Sequence, residues 1–185
     1  MPDFEQVPML GFAAYSGTGK TTLLRRLIPI LTHRGLRIGA IKHAHHDFDI
    51  DYPGKDSYEL RKAGAGQVLI ASQQRWALVV ERPEATTEPA LAELLARLDK
   101  AALDLVVVEG FRHEAFPKIE LHRPALGRPL LYPADASILA IAHDGRLEPR
   151  PPIPQLPLNV PEAIADFIIG RCLRTGAAAD AGLSR

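Results

Sequence analysis

The chain has 185 residues, which suits one domain of ordinary size with a substantial core. Its 22 basic and 22 acidic side chains give a formal net charge of zero, so no overall field attracts nucleic acid or an anionic membrane. No apolar run approaches the roughly 18 residues of a membrane span, and the N-terminus lacks a signal-peptide pattern. We therefore predict a cytoplasmic protein that contacts neither nucleic acid nor membrane, with a single domain over 1–174 and a frayed tail over 175–185.

The first predicted strand, over 9–15, leads into a loop of small residues and then into a helix over 20–34. The loop resembles the pattern Gly-x-x-x-x-Gly-Lys-[Ser/Thr], with Ala14 in the place of the first glycine. Glycine at positions 17 and 19 lets backbone N–H groups turn towards phosphate oxygens, where a Cβ would intrude. This arrangement of strand, glycine-rich loop and helix predicts a Walker A phosphate-binding site.

The phosphate site has a distinct role for each of its polar groups. Lys20 is expected to reach the β- and γ-phosphates, and the hydroxyl of Thr21 is expected to bind Mg²⁺. The N-terminus of the following helix adds unpaired N–H donors. The predicted nucleotide-binding residues of this loop are Ser16, Gly17, Thr18, Gly19, Lys20, Thr21 and Thr22.

A second strand, over 36–42, opens into a segment with three histidines and four acids within positions 43–56. In one interpretation this segment is a switch in which Asp47, Asp49 or Asp51 meets Mg²⁺ or the γ-phosphate. In another, its imidazoles bind nickel, zinc or copper. A third is an ordinary polar surface loop. The candidate nucleotide-binding residues here are Lys42, His43, His45 and His46.

The middle of the chain predicts a helix capped by Asp56 or Ser57 and ended by the glycines at 64 and 66. Two β-rich runs over 67–72 and 75–81 follow, and their short connection predicts antiparallel pairing. A loop over 83–89 then leads into an amphipathic helix over 90–100.

The strand predicted over 103–110 is almost wholly apolar and ends at Glu109, so it reads as a buried parallel strand. Its position about ninety residues after the phosphate loop makes Glu109 the candidate Walker B acid, a second ligand for Mg²⁺. We therefore predict that Lys20 and Glu109 carry the chemistry. Asp104 is expected at the far end of the same strand.

The last third contains an alternating strand over 118–122, predicted as exposed or at an edge, and a buried strand over 137–142. A segment with six prolines over 148–161 is expected to be extended and irregular, before a closing helix over 160–174.

Strands that alternate with helices predict an α/β fold of the three-layer P-loop NTPase type, whose sheet is mainly parallel with an antiparallel extension. Ligands collect at the C-terminal ends of the strands in such sheets, so the loops at Ser16 and His43 and the carboxylate of Glu109 can meet there. The guanine-reading sequence Asn-Lys-x-Asp does not occur. The residues alone therefore predict a nucleoside triphosphate without identifying its base.

The chain closely resembles the molybdopterin-guanine dinucleotide biosynthesis protein B (MobB) family, from the N-terminal strand to about residue 174. The Lys-His-x-His-His run at 42–46 and the Pro-Gly-Lys-Asp-Ser run at 53–57 are the most specific of the shared segments. The other segments that carry the resemblance lie at 12–24, 58–64, 71–77 and 105–111.

This resemblance implies a P-loop fold, GTP binding with weak GTPase activity, and a homodimer built partly through β-structure. It also implies an accessory role in attaching GMP to molybdopterin beside the guanylyltransferase of molybdenum cofactor biosynthesis, with other pathway proteins and molybdopterin as further candidate partners. By position, 16–22 would be the phosphate site and Glu109 the Walker B acid.

Two other functions remain open from the residues. A small-molecule kinase would hold its acceptor with His45, Asp47 and Arg61, whereas a metallochaperone GTPase would use the histidine segment at 43–46 to carry a metal. Lys55 is a further candidate contact for an anionic partner.

Overall fold

The computed structural model describes residues 7–44, 48–85 and 87–173. These residues form two compact units, a larger one built from the chain up to residue 43 and from residue 90 onward, and a smaller one within 44–89. No helix of the described residues is long and apolar enough to cross a membrane. The strands are β1 (Met9–Ala13), β2 (Ile38–Lys42), β3 (Gln67–Ala71), β4 (Trp76–Val80), β5 (Leu105–Glu109), β6 (Lys118–His122), β7 (Ile138–His143) and β8 (Gln155–Pro157). The α-helices are α1 (Lys20–His33), α2 (Asp56–Lys62), α3 (Leu91–Leu95) and α4 (Pro161–Ile168).

Six strands of the larger unit form one parallel sheet in the order β2-β5-β1-β6-β7-β8. Alternate side chains of β5 enter different cores because successive residues of a strand point to opposite faces. Leu105 and Val107 pack with α1 and α4, whereas Val106 and Val108 pack with α3. The sheet is therefore the middle of three layers, which confirms the predicted fold class.

The helix after the phosphate loop ends at His33, within one residue of the predicted end. Gly35 has φ +87°, its N–H donates to the carbonyl of Thr32, and the N–H of Leu36 donates to that of Leu31. This pair of bonds is a Schellman motif, which satisfies the last carbonyls of the helix. The helix runs without interruption through Pro29.

The smaller unit contains α2 and the antiparallel pair β3–β4, which confirms the predicted antiparallel pairing. These two strands form a sheet of their own. The predicted cap of α2 is wrong, because the helix begins after Lys55 and has no side-chain cap. Asp56 instead lies in the first turn, where its negative charge faces the positive end of the helix dipole.

The strand over 118–122 was predicted to be exposed or at an edge, and that prediction is wrong. All five residues of β6 are buried, and the strand lies between β1 and β7. Its polar side chains are satisfied inside the protein: Lys118 pairs with Asp135 at 2.8 Å, and Glu120 accepts hydrogen bonds from the backbone N–H groups of Leu131 and Tyr132. The polar residues that alternate with apolar ones in β6 are therefore paired inside the protein and do not face water.

The helix predicted over 90–100 is also too long. Hydrogen bonds from Arg97 to Leu94 and from Leu98 to Leu95 span only three residues, so α3 tightens into turns after Leu95 and a 3₁₀ turn follows at Lys100–Ala102. The proline-rich segment is extended as expected and includes the short strand β8. The closing helix continues from α4 as a π-helical segment, Ile169–Leu173.

Asp104 lies before β5, at the opposite end of that strand from Glu109, as predicted. Its carboxylate accepts two hydrogen bonds from the side chain of Arg37 and one from the Arg37 backbone N–H, which joins the starts of β2 and β5. These hydrogen bonds lower the pKa of Asp104 to about 2.

We predict that Asp104→Asn removes part of the acid sensitivity of folding. The pKa of Asp104 is lower in the folded chain than its unfolded value of about 3.9, so its contribution is complete above about pH 4 and is lost as the pH falls towards 2. Urea unfolding between pH 2 and 5 should show a shallower fall for Asp104→Asn than for the wild type or for Glu162→Gln on α4. Superimposable profiles for all three proteins would contradict the assignment.

Candidate functional site

The loop between β1 and α1 has the backbone conformation that its glycines predict. Gly17 has φ +82° and Gly19 has φ +100°, both in the left-handed region that L side chains rarely adopt. Among the described residues, no heavy atom other than those of its chain neighbours lies within 4 Å of an ideal Cβ on Gly17. The left-handed backbone is therefore what favours glycine at position 17 within the protein itself.

Lys20 folds back over this loop. Its Nζ donates a hydrogen bond to the carbonyl of Ala14 at 3.2 Å. The loop is closed by Thr18, whose buried hydroxyl donates to the carbonyl of Tyr15 at 2.8 Å. The ammonium group is thereby held across the loop with N–H donors left for an anion, since it carries three of them. Ser16 and Thr22, the outer predicted residues, are exposed.

Thr21 and Glu109 approach each other although 88 positions separate them in the chain. The hydroxyl of Thr21 donates to Oε1 of Glu109 at 3.4 Å. The register of the sheet explains this approach, because Glu109 pairs with Phe12 of β1 on one side and with Lys42 of β2 on the other. A hydroxyl and a carboxylate both supply the oxygen ligands that Mg²⁺ prefers, so this pair suits an Mg²⁺ site.

The turn after Glu109 is tightly constrained. Gly110 has φ +109°, and an ideal Cβ there would lie 2.4 Å from Cβ of His43. Phe111 has φ +50°, unusual for a bulky residue, and its ring stacks on that of His43 with centroids 4.7 Å apart. The backbone N–H of His43 donates to the carbonyl of Glu109 at 2.8 Å. The ends of β2 and β5 are thus fixed to each other beside the phosphate loop.

Arg123 is a site residue that the sequence analysis did not identify. Its Nε donates to the carbonyl of Thr18 at 2.9 Å, and its Nη1 donates to Oδ2 of Asp144. Arg123 directly follows β6 and Asp144 directly follows β7. Position after a strand was the signal that pointed to Glu109, and it points equally to these two residues once β6 is placed inside the sheet.

Several predicted residues belong to the smaller unit or lie outside the described residues. His45, His46 and Asp47 lie outside them. Asp49 accepts a hydrogen bond from Arg61 at 2.7 Å, and Arg61 also pairs with Asp51 and Glu81 at 2.6 and 2.7 Å. Its side chain is only 6% exposed, so this guanidinium is the centre of a carboxylate cluster.

The same cluster sets the charge state of its members. Burial opposes ionisation of Asp51, but hydrogen bonds from Ser57 and Arg61 outweigh it and lower the pKa of that carboxyl. The hydrogen bonds that Arg61 donates to Glu81, Asp49 and Asp51 raise the pKa of its guanidinium group. Within 7–44, 48–85 and 87–173, no group of three His, Cys, Asp or Glu side chains is arranged to hold a metal ion.

The chain is similar to known proteins over most of its length. A model of the family described as molybdopterin guanine dinucleotide synthesis protein B matches residues 9–144. The chain is 52% identical over 164 residues to the molybdopterin-guanine dinucleotide biosynthesis adapter protein of Escherichia coli, covering 88% of this chain and 92% of that protein. Its counterpart of the same name in Haemophilus influenzae is 44% identical, with 88% of each chain covered.

Solved structures are also similar. The crystal structure of molybdopterin-guanine biosynthesis protein B matches with a TM-score of 0.67 and 28% identity, covering 88% of this chain and 98% of that one. The structure of Bacillus subtilis MobB, at 20% identity and a TM-score of 0.67, shares the fold.

We predict that Gly110→Ala lowers the free energy of unfolding by roughly 2–4 kcal/mol, because it combines a left-handed backbone with a clash against His43. Gly35→Ala is the matched control: its φ is +87°, but within the described part of the chain no heavy atom beyond its two chain neighbours lies within 4 Å of the new methyl group. This control should lose only about 1 kcal/mol. Equal losses in urea denaturation would show that the contact with His43 carries no cost.

Proposed function

Because the chain belongs to the molybdopterin guanine dinucleotide synthesis protein B family, we propose that it is a GTP-binding, slowly GTP-hydrolysing adapter in molybdenum cofactor biosynthesis. In this role it assists the attachment of GMP to molybdopterin. The observation that carries the nucleotide part of the proposal is the approach of Thr21 to Glu109 beside a loop with two left-handed glycines. The word adapter in the names of the bacterial relatives supports the second part.

The residues present suit a nucleoside triphosphate with Mg²⁺. The backbone N–H groups of the loop and the ammonium of Lys20 would hold the phosphates. The hydrogen bond from Lys20 to the carbonyl of Ala14 supports this role, because it holds the ammonium across the loop. The hydroxyl of Thr21 and the carboxylate of Glu109 would hold Mg²⁺, for which oxygen ligands are preferred. When bound, the cation neutralises charge on the phosphate oxygens. Lys42 and His43, at the end of β2, lie beside the backbone of Glu109: Lys42 is its register partner, and the His43 N–H donates to its carbonyl.

Slow hydrolysis is proposed because the arginine beside the loop is already engaged. The guanidinium group of Arg123 binds the carbonyl of Thr18 and the carboxylate of Asp144. It is therefore engaged within the protein and is not directed at a phosphate group. Fast phosphoryl transfer in P-loop proteins needs an arginine that neutralises transition-state charge. A nucleotide state that lasts is useful to an adapter, since partners such as the molybdopterin guanylyltransferase can respond to it.

The homodimer is supported by an apolar face of the β3–β4 pair. Leu69 is opposite Leu78, and Ala71 is opposite Trp76, on the exposed side of this two-stranded sheet. Trp76 is 70% exposed and Leu69 is 62% exposed. A contiguous apolar face of this kind marks a protein interface. We propose that a second copy of the chain covers it.

We predict that Lys20→Ala lowers the affinity for GTP in the presence of Mg²⁺ by roughly 10- to 100-fold, the usual effect of losing one charge-assisted hydrogen bond to phosphate. Isothermal titration with GTP and ATP, with and without Mg²⁺, measures it. Arg25→Ala, on the exposed side of the same helix, is the control and should bind as the wild type does.

Two results would contradict the proposed function. One is equal GTP binding by Lys20→Ala and the wild type. The other is turnover of GTP by the purified chain alone at the ordinary enzyme rate of about 10 s⁻¹. The adapter part fails separately if the chain with GTP does not raise the yield of molybdopterin guanine dinucleotide from the guanylyltransferase.

We predict that Leu78→Glu converts the dimer into a monomer, because it places a charge in the centre of the apolar face of β3–β4. Leu126→Glu is the control, since Leu126 has nearly the same exposure, 44% against 42%, but lies in the larger unit. Sedimentation equilibrium at micromolar concentration reports the change. A monomeric wild type, or a Leu78→Glu protein that remains dimeric, would exclude this face as the interface.

A further inference from the structure

A cleft of about 450 Å³ opens where β7 and β8 end. Its volume lies within the range of small-molecule sites. It combines the buried side chain of Leu158 with polar groups, among them a carboxylate and an amide. Asp144, Leu156 and Leu158 are among the residues that line it.

The cleft lies on the same edge of the sheet as the phosphate loop. The loop follows β1, and β7 is the second strand from β1 in the sheet order, with β6 between them. Two strand spacings amount to about 10 Å. Because the strands are parallel, both features lie beyond their carboxyl ends, where ligands of such sheets bind. A nucleotide with its phosphates at the loop would extend its nucleoside along this edge.

Arg123 connects the loop to the cleft physically. One end of its guanidinium group binds the carbonyl of Thr18 in the phosphate loop, and the other binds the carboxylate of Asp144 in the cleft. An ideal Cβ on Gly19 would lie 3.7 Å from its Nη2. The carboxylate of Asp144 is thus held at a fixed position relative to the phosphate site, through a single side chain.

The carboxylate oxygen of Asp144 that Arg123 does not bind can discriminate between guanine and adenine. Its Oδ2 accepts from Arg123, whereas Oδ1 accepts no hydrogen bond from the part of the chain that the structure describes. Its side chain is 23% exposed and therefore open to a ligand. A carboxylate oxygen suits guanine, whose N1–H and N2 amino group both donate. Adenine presents a lone pair at N1, which a carboxylate repels.

We propose that this cleft receives the base of the nucleotide and that Asp144 selects guanine, an inference that rests on the proposed nucleotide function. The partly buried side chain of Leu156 supplies apolar surface for a planar base. Arg123 is a positioning residue that orients the carboxylate of Asp144. In this way the chain reads guanine without the Asn-Lys-x-Asp sequence, because the carboxylate comes from the residue after β7 and its support from the residue after β6.

The test compares ratios of affinities for GTP, ATP and XTP between the wild type and Asp144→Asn, with Mg²⁺ present. Xanthine carries a carbonyl oxygen where guanine carries its 2-amino group, so an asparagine amide can donate to it and a carboxylate cannot. We expect the GTP:ATP affinity ratio to fall by roughly 10- to 100-fold in Asp144→Asn, and XTP affinity to rise about 10-fold. A general loosening of the phosphate loop would weaken every nucleotide equally and leave the ratios unchanged.

Asp166→Asn is the matched control, because Asp166 also pairs with an arginine, Arg34, at 2.6 Å but lies on α4 outside the cleft. Its nucleotide ratios should equal those of the wild type. A second measurement needs no variant: the wild type should bind ITP, which lacks the 2-amino group, about 10-fold more weakly than GTP. This comparison keeps the inference testable if Asp144→Asn does not fold.

The outcomes separate this inference from the proposed function. A wild type that binds no nucleotide overturns both. Lys20-dependent GTP binding with unchanged GTP:ATP and XTP behaviour in a folded Asp144→Asn protein overturns the base site alone. Equal wild-type affinity for GTP, ATP and ITP does the same.

Discussion

The parallel pairing of β1 with β5 on one side and β6 on the other is the constraint on which the site depends. It brings the loop after β1 between a carboxylate at the end of β5 and a guanidinium just after β6. The contacts from Thr21 to Glu109 and from Arg123 to Thr18 both follow from this order. Neither contact is local in sequence, so the sheet order and not any single motif creates the geometry.

This strand order buries β6, and with it the charged side chain of Glu120. Burial raises the pKa of Glu120, and the backbone N–H groups of Leu131 and Tyr132 oppose that shift by binding the carboxylate. Unpaired buried charges are expensive, whereas paired and hydrogen-bonded ones are tolerated. The segment after β6 therefore has to fold back over the strand to satisfy it. The same segment begins with Arg123, so the fold of the core and the position of the site arginine are linked.

Much of the fold was predictable because its signals are local. The apolar run ending at Glu109 and the glycine-rich loop before Lys20 place two neighbouring strands, and both appear as expected. The prediction for β6 failed for a physical reason: Lys118 and Glu120 look solvated in sequence, but Lys118 pairs with Asp135, 17 positions away, and Glu120 accepts from Leu131, 11 positions away. Predicting β6 as exposed or at an edge also hid Arg123 as a site residue. The base of the proposed nucleotide could not be predicted, because the short guanine-binding sequence Asn-Lys-x-Asp is absent.

The pair of Lys118 and Asp135 also restricts how this chain can diverge, because the Lys118 side chain is 2% exposed whereas that of Asp135 is 27% exposed. Replacing Asp135 alone leaves the buried ammonium of Lys118 without its counter-charge, which is strongly destabilising, whereas replacing both with apolar residues of similar volume can be nearly neutral. Loss of Asp135 is therefore tolerated only when Lys118 is replaced as well. Lys118 also contacts Ser137 at 3.0 Å, so the restriction extends into the start of the strand that leads to Asp144.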